Sequence, residues 1–126
     1  MAEEEKKKIL VIDDDSNLRE VLVDKLNASG FEAIGAHDGE DGLAKALAEH
    51  PDLLLLDVMM PKIGGWALLE KLREDEWGKN AKVIMLTVLE DLSHVAKGAE
   101  FNIKGYLVKT NWSLDEVVKQ VKDATN

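Results

Sequence analysis

Acidic, hydroxyl and basic residues follow four of the short apolar runs in this sequence, each at the point where the run ends. Three consecutive aspartates, residues 13–15, follow the first run, and Asp57 follows four consecutive leucines. Thr87 and Lys109 follow two later runs. Each residue alone has an ordinary explanation, because aspartate often forms turns at strand ends and threonine often caps helices. Four such positions in one chain call for a joint explanation.

Together these residue types indicate phosphoryl chemistry that depends on a cation. Carboxylates that lie close together raise one another's pKa unless a cation compensates for their charge. A hard divalent ion such as Mg²⁺ binds one or two carboxylates plus waters and leaves positions for phosphate oxygens. Thr87 would add a hydroxyl donor and Lys109 a positive charge for the same phosphoryl group. This chemistry requires that the fold bring the residues to one place.

The elements that must position these residues are predicted from apolar runs that alternate with segments of helical spacing. Five runs have the length and composition of strands: 8–12, 32–36, 53–56, 83–86 and 103–108. Five segments have apolar residues on one helix face, the first ending near Gly30 and the fourth covering 92–99. This alternation predicts a parallel sheet covered by helices on both faces. Ligands of such sheets bind beyond the carboxyl ends of the strands, where the polar residues fall.

Length and composition limit the classes of function. The 126 residues suffice for one domain, which we expect at 8–126 after a charged flexible tail at 1–7. The net charge of −9 argues against nucleic-acid binding by phosphate neutralisation. There is no cysteine, which excludes thiolate chemistry, and no apolar run is long enough to span a bilayer. We therefore expect a cytoplasmic protein without membrane insertion.

The sequence resembles the receiver domain of bacterial two-component response regulators, in its stand-alone chemotaxis-regulator form. The resemblance covers residues 8–124 and rests on VIDDDS, LLLLDVMMP followed by GG, VIMLT and GYLVK, in that order. It implies an α/β fold of the flavodoxin-like type, a three-layer (βα)5 sandwich with strand order 2-1-3-4-5. It also implies a signalling protein that catalyses only its own phosphorylation and dephosphorylation.

The resemblance assigns roles to the residues at the first and third strand ends. Asp57 matches the phospho-acceptor. Asp13 and Asp14 match the acidic pair that binds Mg²⁺, together with a carboxylate oxygen of Asp57 and the backbone carbonyl of Met59. Asp15 falls outside that pair, so we expect it to form a turn or to cap the first helix.

The resemblance also implies a switch and partners. Thr87 and Lys109 match residues that contact the phosphoryl group, and Thr87 with Tyr106 matches the pair that reports phosphorylation. The implied donor is a sensor histidine kinase or a phosphotransfer protein. The implied output is a protein target that binds the face formed by the fourth helix, fifth strand and fifth helix. The chain would be a monomer or a phosphorylation-dependent dimer that binds no nucleic acid.

Three residues depart from the family pattern. Gly64 stands where an acidic or small polar residue is frequent, and it is expected to loosen the start of the third helix. Val88 stands where a small residue is expected. Thr110 follows Lys109 where proline is common, and a cis peptide before other residues costs about 2.5–4 kcal/mol. The sequence leaves open whether that peptide is cis.

Three other functions match parts of the pattern. Asp13 and Asp15 form the D-x-D of haloacid dehalogenase phosphatases, but Asn17 stands where those enzymes have threonine or valine. A calcium loop could begin at Asp13, but Leu18 stands where it needs glycine. A receiver fold that serves only as a binding module would have the same sequence features, so that alternative stays open.

Overall fold

The computed structural model describes residues 6–60, 62–87, 100–109 and 113–126. Within these ranges five parallel strands form one sheet in the order β2-β1-β3-β4-β5, which confirms the predicted flavodoxin-like topology. The strands are β1 (Lys8–Ile12), β2 (Glu32–Ala36), β3 (Leu53–Asp57), β4 (Val83–Thr87) and β5 (Gly105–Val108). The helices are α1 (Ser16–Ala28), α2 (Gly39–Glu49), α3 (Gly65–Glu74) and α4 (Leu114–Thr125). The helix predicted fifth is therefore α4.

Several sequence predictions fall outside the part of the chain that the structure describes. These are the fourth predicted helix at 92–99, Val88, and Thr110 with the peptide before it. Only residues 6 and 7 of the predicted tail are described, and both are exposed. No helix in the described ranges combines the length and the apolar character needed to cross a bilayer.

Three strand boundaries differ from the sequence prediction. β3 and β4 each extend one residue further, so that Asp57 and Thr87 still belong to the ladder. The predicted start of β5 at residue 103 is wrong: the chain leaves a turn at Asn102, which has a φ of 56°, and the strand begins at Gly105, opposite Ile84. Just before it, the amide of Lys104 donates to the carbonyl of Val83 at 2.7 Å.

The core lies on both faces of the sheet, as the non-alternating apolar runs predicted. On one face, alternate strand residues such as Leu55 and Ile84 pack with Leu22 of α1 and Val121 of α4. On the other face, the intervening strand residues pack against α2 and α3, as Leu54 does in the cluster that contains Leu68. The central strands are therefore held from both sides, which fixes the positions of the residues at their carboxyl ends.

Local sequence signals explain where the helices begin and end. The Asp15 side chain accepts hydrogen bonds from the backbone nitrogens of Asn17 and Leu18, which confirms the expected cap of α1. Gly30 follows that helix with a φ of 97°, a conformation in which glycine is favoured. Gly64 precedes α3 and offers no side-chain cap, and the looser helix start stays a prediction.

Arg73 of α3 joins three segments of the chain through backbone carbonyls. Its Nη1 donates to the carbonyl oxygens of Gly78 and Ala81, both at 2.7 Å. Its Nε donates to the carbonyl of Phe101 at 2.9 Å, and its Nη2 to that of Asn102 at 3.4 Å. One guanidinium thus fixes the turn after α3 and the approach to β5, because five N–H donors in one plane can reach several acceptors at once.

We expect Arg73→Met to lower the free energy of unfolding by about 2 kcal/mol, because it leaves partly buried carbonyls without their donors. Urea denaturation measures this change. Lys71→Met is the matched control, since Lys71 lies in the same helix with an exposed side chain. Equal stabilities of the two variants would show that the carbonyl network around Arg73 contributes nothing.

Candidate functional site

The carboxyl edge of the sheet brings together three of the predicted acidic residues. Asp13 directly follows β1 and is fully buried, Asp57 ends the neighbouring β3 and is almost fully buried, and Asp14 is exposed. One carboxylate oxygen from each lies within 4.8 Å of the other two. Strand ends, rather than a flexible loop, hold the two buried members, so their separation is set by the spacing of β1 and β3.

The hydrogen bonds of Asp13 leave one of its oxygens directed into the site. Its Oδ1 accepts from the backbone nitrogen of Asp15 at 3.0 Å, and its own carbonyl accepts from Nη1 of Arg19 at 2.9 Å. Its Oδ2 is buried and receives no hydrogen bond of ordinary geometry within the described ranges. The charge on that oxygen is opposed by Nζ of Lys109, 2.7 Å away.

Lys109 lies between the two buried carboxylates. Its Nζ is 2.7 Å from Oδ2 of Asp13 and 3.2 Å from Oδ1 of Asp57. Its backbone nitrogen donates to the carbonyl of Thr87 at 2.6 Å, which holds the end of β5 against that of β4. Burial alone would lower the pKa of this lysine, but the two carboxylates outweigh that effect, and the net pKa is raised. The ammonium therefore stays charged at neutral pH.

The environment of Asp57 disfavours its charged form. Burial, followed by the negative charge of Asp13, raises the pKa of Asp57 to about 7, although Lys109 and the amide of Met59 act in the opposite direction. That amide donates to Oδ1 of Asp57 at 3.3 Å. One ammonium group is thus insufficient to balance the carboxylates, and a further cation would favour the ionised form.

The donor set fits a hard divalent cation. Oxygen ligands from Asp13, Asp14 and Asp57 converge, and the ammonium of Lys109 is the partner of the buried Oδ2 of Asp13. Three carboxylates against one ammonium leave the local charge negative. Mg²⁺ suits one or two carboxylates with waters in its remaining positions. Met59 is 65% exposed. Coordination by the Met59 carbonyl stays a prediction.

The structure places Thr87 and Tyr106 on neighbouring strands. Thr87 is buried at the end of β4, opposite Val108, whereas Tyr106 is opposite Met85 and half-buried. Residues two apart in a strand share a face. Thr87 and Tyr106 therefore lie on the same face of the sheet, Thr87 nearer to Asp57.

Two features beside the site were not predicted from the sequence. Trp66 of α3 meets the ring of Tyr106 edge to face, with centroids 6.5 Å apart, and stacks on Phe101 at 6.2 Å. The absence of a side chain at Gly65 lets α3 approach the sheet, since a Cβ there would collide with the carbonyl oxygen of Asp57. The sequence analysis used the GG pair only as part of the family resemblance, and no pattern indicated the partner rings of Trp66.

The calcium-loop alternative is wrong on structural grounds. A calcium loop that began at Asp13 would need twelve residues of loop between two helices. Here a buried strand precedes Asp13, and α1 already begins at Ser16.

Comparisons with known proteins point to one family. Residues 9–122 match the family model described as the response regulator receiver domain. Chemotaxis protein CheY4 of Vibrio cholerae has a similar structure, with a TM-score of 0.89 and 27% identity, over 95% of this chain and 99% of that one. The response regulator TrrA of Thermotoga maritima, solved in complex with Mg(2+)-BeF, has a TM-score of 0.81 and 34% identity, over 94% and 98% of the two chains.

Curated relatives extend the same result. The "Probable transcriptional regulator ycf27" of Porphyridium aerugineum is 41% identical over 83% of this chain. The "Alkaline phosphatase synthesis transcriptional regulatory protein PhoP" of Bacillus subtilis is 38% identical over 92% of this chain. The aligned region is 42% and 47% of the length of these two relatives, so this chain matches less than half of each. By its family match and by these identities, the chain belongs to the response regulator receiver domains of two-component systems.

Proposed function

We propose that this receiver domain takes a phosphoryl group from a phosphorylated histidine onto Asp57. The observation that carries the proposal is the placement of the Asp57 carboxylate at a strand end, 3.2 Å from Nζ of Lys109 and beside Asp13 and Asp14. The donor would be a sensor histidine kinase or a phosphotransfer protein, and the cofactor Mg²⁺. Family membership and the Mg(2+)-BeF complex of the similar TrrA support the proposal.

The described residues suit in-line phosphoryl transfer. A carboxylate oxygen of Asp57 would attack phosphorus while the bond from phosphorus to the histidine nitrogen breaks, which forms an acyl phosphate. The transition state of such transfers is loose and spreads charge over the equatorial oxygens, so positioning and charge neutralisation supply most of the catalysis. Lys109 would neutralise part of that charge, and the buried Thr87 hydroxyl would donate to one oxygen.

The acidic residues would prepare the nucleophile. Asp13 and Asp14, with an oxygen of Asp57 and the carbonyl of Met59, would hold the Mg²⁺ ion. The bound ion would supply positive charge at the phosphoryl oxygens. Because the pKa of Asp57 is raised to about 7 without a metal, a cation held by Asp13 and Asp14 would also keep the nucleophile ionised near neutral pH.

The output would pass through a protein-binding face. We place it on β5, α4 and the segment predicted as the fourth helix, and we expect the domain to work in the cytoplasm as a monomer or a phosphorylation-dependent dimer. The curated relatives are transcriptional regulators, and one from Synechocystis is described as DNA-binding. This chain matches less than half of their length, and its net charge of −9 favours a protein target over nucleic acid.

Asp57→Asn should abolish phosphorylation, because it keeps the shape of the side chain and removes the nucleophile. Incubation with acetyl phosphate and Mg²⁺, followed by mass spectrometry of the intact protein, should show a gain of about 80 Da in the parent alone. Asp24→Asn, on the exposed surface of α1, is the control and should react like the parent. A phosphoryl group gained by Asp57→Asn at the parental rate would refute the assignment and revive the pure binding module.

Two adjacent aspartates should respond to Mg²⁺ in different ways. Mg²⁺ at about 100 times its Kd should stabilise the parent by about 2.7 kcal/mol. Asp14→Ala should lose most of that shift, and it should melt at a higher temperature than the parent without Mg²⁺, because it relieves repulsion between carboxylates. Asp15→Ala should instead lose about 1 kcal/mol of cap stabilisation and keep the shift. Thermal melts with and without Mg²⁺ measure both, and identical behaviour of the two variants would contradict the metal site.

Thr87 should couple phosphorylation to Tyr106. When beryllofluoride mimics the phosphoryl group, the Thr87 hydroxyl should move toward it and free space on the shared face for the Tyr106 ring. The NMR signals of that ring should therefore shift in the parent and in Thr87→Ser, which keeps the hydroxyl. They should not shift in Thr87→Ala. A shift of equal size in Thr87→Ala would separate Tyr106 from the hydroxyl and leave the ring as an ordinary half-buried aromatic.

A further inference from the structure

In the described part of the loop between β3 and α3, Met60 and Ile63 pack against the core, whereas Met59 has weaker local contacts. The Met59 side chain is mostly exposed, and the Met59 amide makes only a long hydrogen bond of 3.3 Å to Asp57. At the far end of the loop, Gly64 gives α3 no side-chain cap. The amide of Gly65 donates to the carbonyl of Val58 at 2.9 Å and closes the base of the loop. Besides this apolar packing, the described residue Lys62 gives the loop a polar anchor.

That anchor is an ion pair to the start of α2. Nζ of Lys62 lies 3.2 Å from Oδ2 of Asp38, a carboxylate whose side chain is only 8% exposed. Oδ1 of the same aspartate accepts from the amide of Asp41 at 2.8 Å and caps α2. The amide of Asp41, then the ammonium of Lys62, hold the pKa of Asp38 below its usual value. The carboxylate is thus already fixed on a helix when Lys62 meets it.

The backbone conformation at Lys62 and Ile63 also indicates that this part of the loop is held against α2. Lys62 has a φ of 68°, a left-handed conformation that is uncommon for residues other than glycine. The following residue, Ile63, lies so close to α2 that a Cβ on Gly39 would collide with its carbonyl oxygen and side chain. A strained residue persists only where its surroundings hold it. The ion pair and the close approach at Gly39 together supply that hold.

We propose that Lys62 is a positioning residue for the phosphorylation site, which acts through the loop to place the backbone of Met59 toward the cation. This inference rests on the proposed function, because it assumes that Asp13, Asp14 and Asp57 bind Mg²⁺ with help from this loop. Within the described ranges, Lys62 forms no ion pair with Asp13, Asp14 or Asp57. Its ion pairs are with Asp38 and, at 3.9 Å, with Glu40. Residues that orient the ligands of a metal commonly tune its affinity.

The direction of the change in Mg²⁺ affinity distinguishes a positioning role of Lys62 from a purely electrostatic one. Removal of a lysine near an acidic metal site lowers the positive charge there, so electrostatics alone would tighten Mg²⁺ binding or leave it unchanged. Loss of an anchor that places a backbone ligand would weaken binding. Lys62→Met, which keeps much of the side-chain length and removes the charge, should therefore weaken Mg²⁺ binding only if Lys62 positions the loop.

The experiment measures Mg²⁺ affinity by calorimetry, and amide hydrogen exchange of the metal-free protein. Lys62→Met should weaken Mg²⁺ binding by up to about fivefold, the ratio expected for a half-exposed ion pair. It should also speed exchange at the amides of Met59 and Gly65. Lys62→Arg, which retains the pair, should behave like the parent. Lys45→Met is the matched control, because it removes an ion pair between Lys45 and Asp41 on α2 that does not reach the loop.

The outcomes distinguish the two proposals. Unchanged or tighter Mg²⁺ binding by Lys62→Met, with unchanged exchange at Met59 and Gly65, would overturn the positioning role while leaving the metal site intact. Equal weakening by Lys45→Met would also overturn it, since the loss of an ion pair that does not reach the loop would then weaken binding without any change in the position of Met59. If the parent itself bound no Mg²⁺, the proposed function would fail, and the positioning role, which requires that site, would fail with it.

Discussion

Unbalanced charge at the carboxyl edge of the sheet is the constraint on which the rest of this structure depends. Asp13 and Asp57 are buried and share one ammonium group, that of Lys109, while Asp14 adds a third carboxylate nearby. Repulsion between these groups would push them apart if they stood on loops. They stay together because β1 and β3 are central strands, packed on both faces, and cannot separate without opening the core.

The same excess of negative charge explains how the site could respond first to a cation and then to phosphorylation. A divalent cation would offset the excess of negative charge and favour the ionised form of Asp57. A phosphoryl group would then replace the single charge of the carboxylate by about two charges, so that negative charge would return to the pocket. That charge requires donors, and Lys109 and Thr87 stand at the ends of the two adjacent strands. The proposed coupling of Thr87 to Tyr106 of the neighbouring β5 would follow from this demand for a donor.

The sequence was sufficient to predict what depends on strand order. The apolar runs predicted the five strands. The polar residues that follow them predicted the acidic cluster and Lys109, because parallel strands bring their carboxyl ends to one edge. The anchors from Arg73 and Lys62 were not predictable in this way. Each long side chain reaches a partner far away in the sequence, and no periodicity records that contact. The start of β5 was predicted two residues too early, because the apolar run begins directly after the turn at Asn102 and composition does not show how many residues the chain needs to reach β4.

The rigid and adaptable parts of the site therefore have different origins. Asp13, Asp57 and Lys109 are placed by the ends of strands, and their geometry follows from the packing of the sheet. The backbone of Met59 is placed by a loop whose ends are fixed by close approaches that only glycine permits, at Gly39 and Gly65. The proposed cation site would draw on both parts, and the position of Met59 is the part that strand packing does not set. Differences in metal affinity among receivers with the same acidic residues would then arise in the loop.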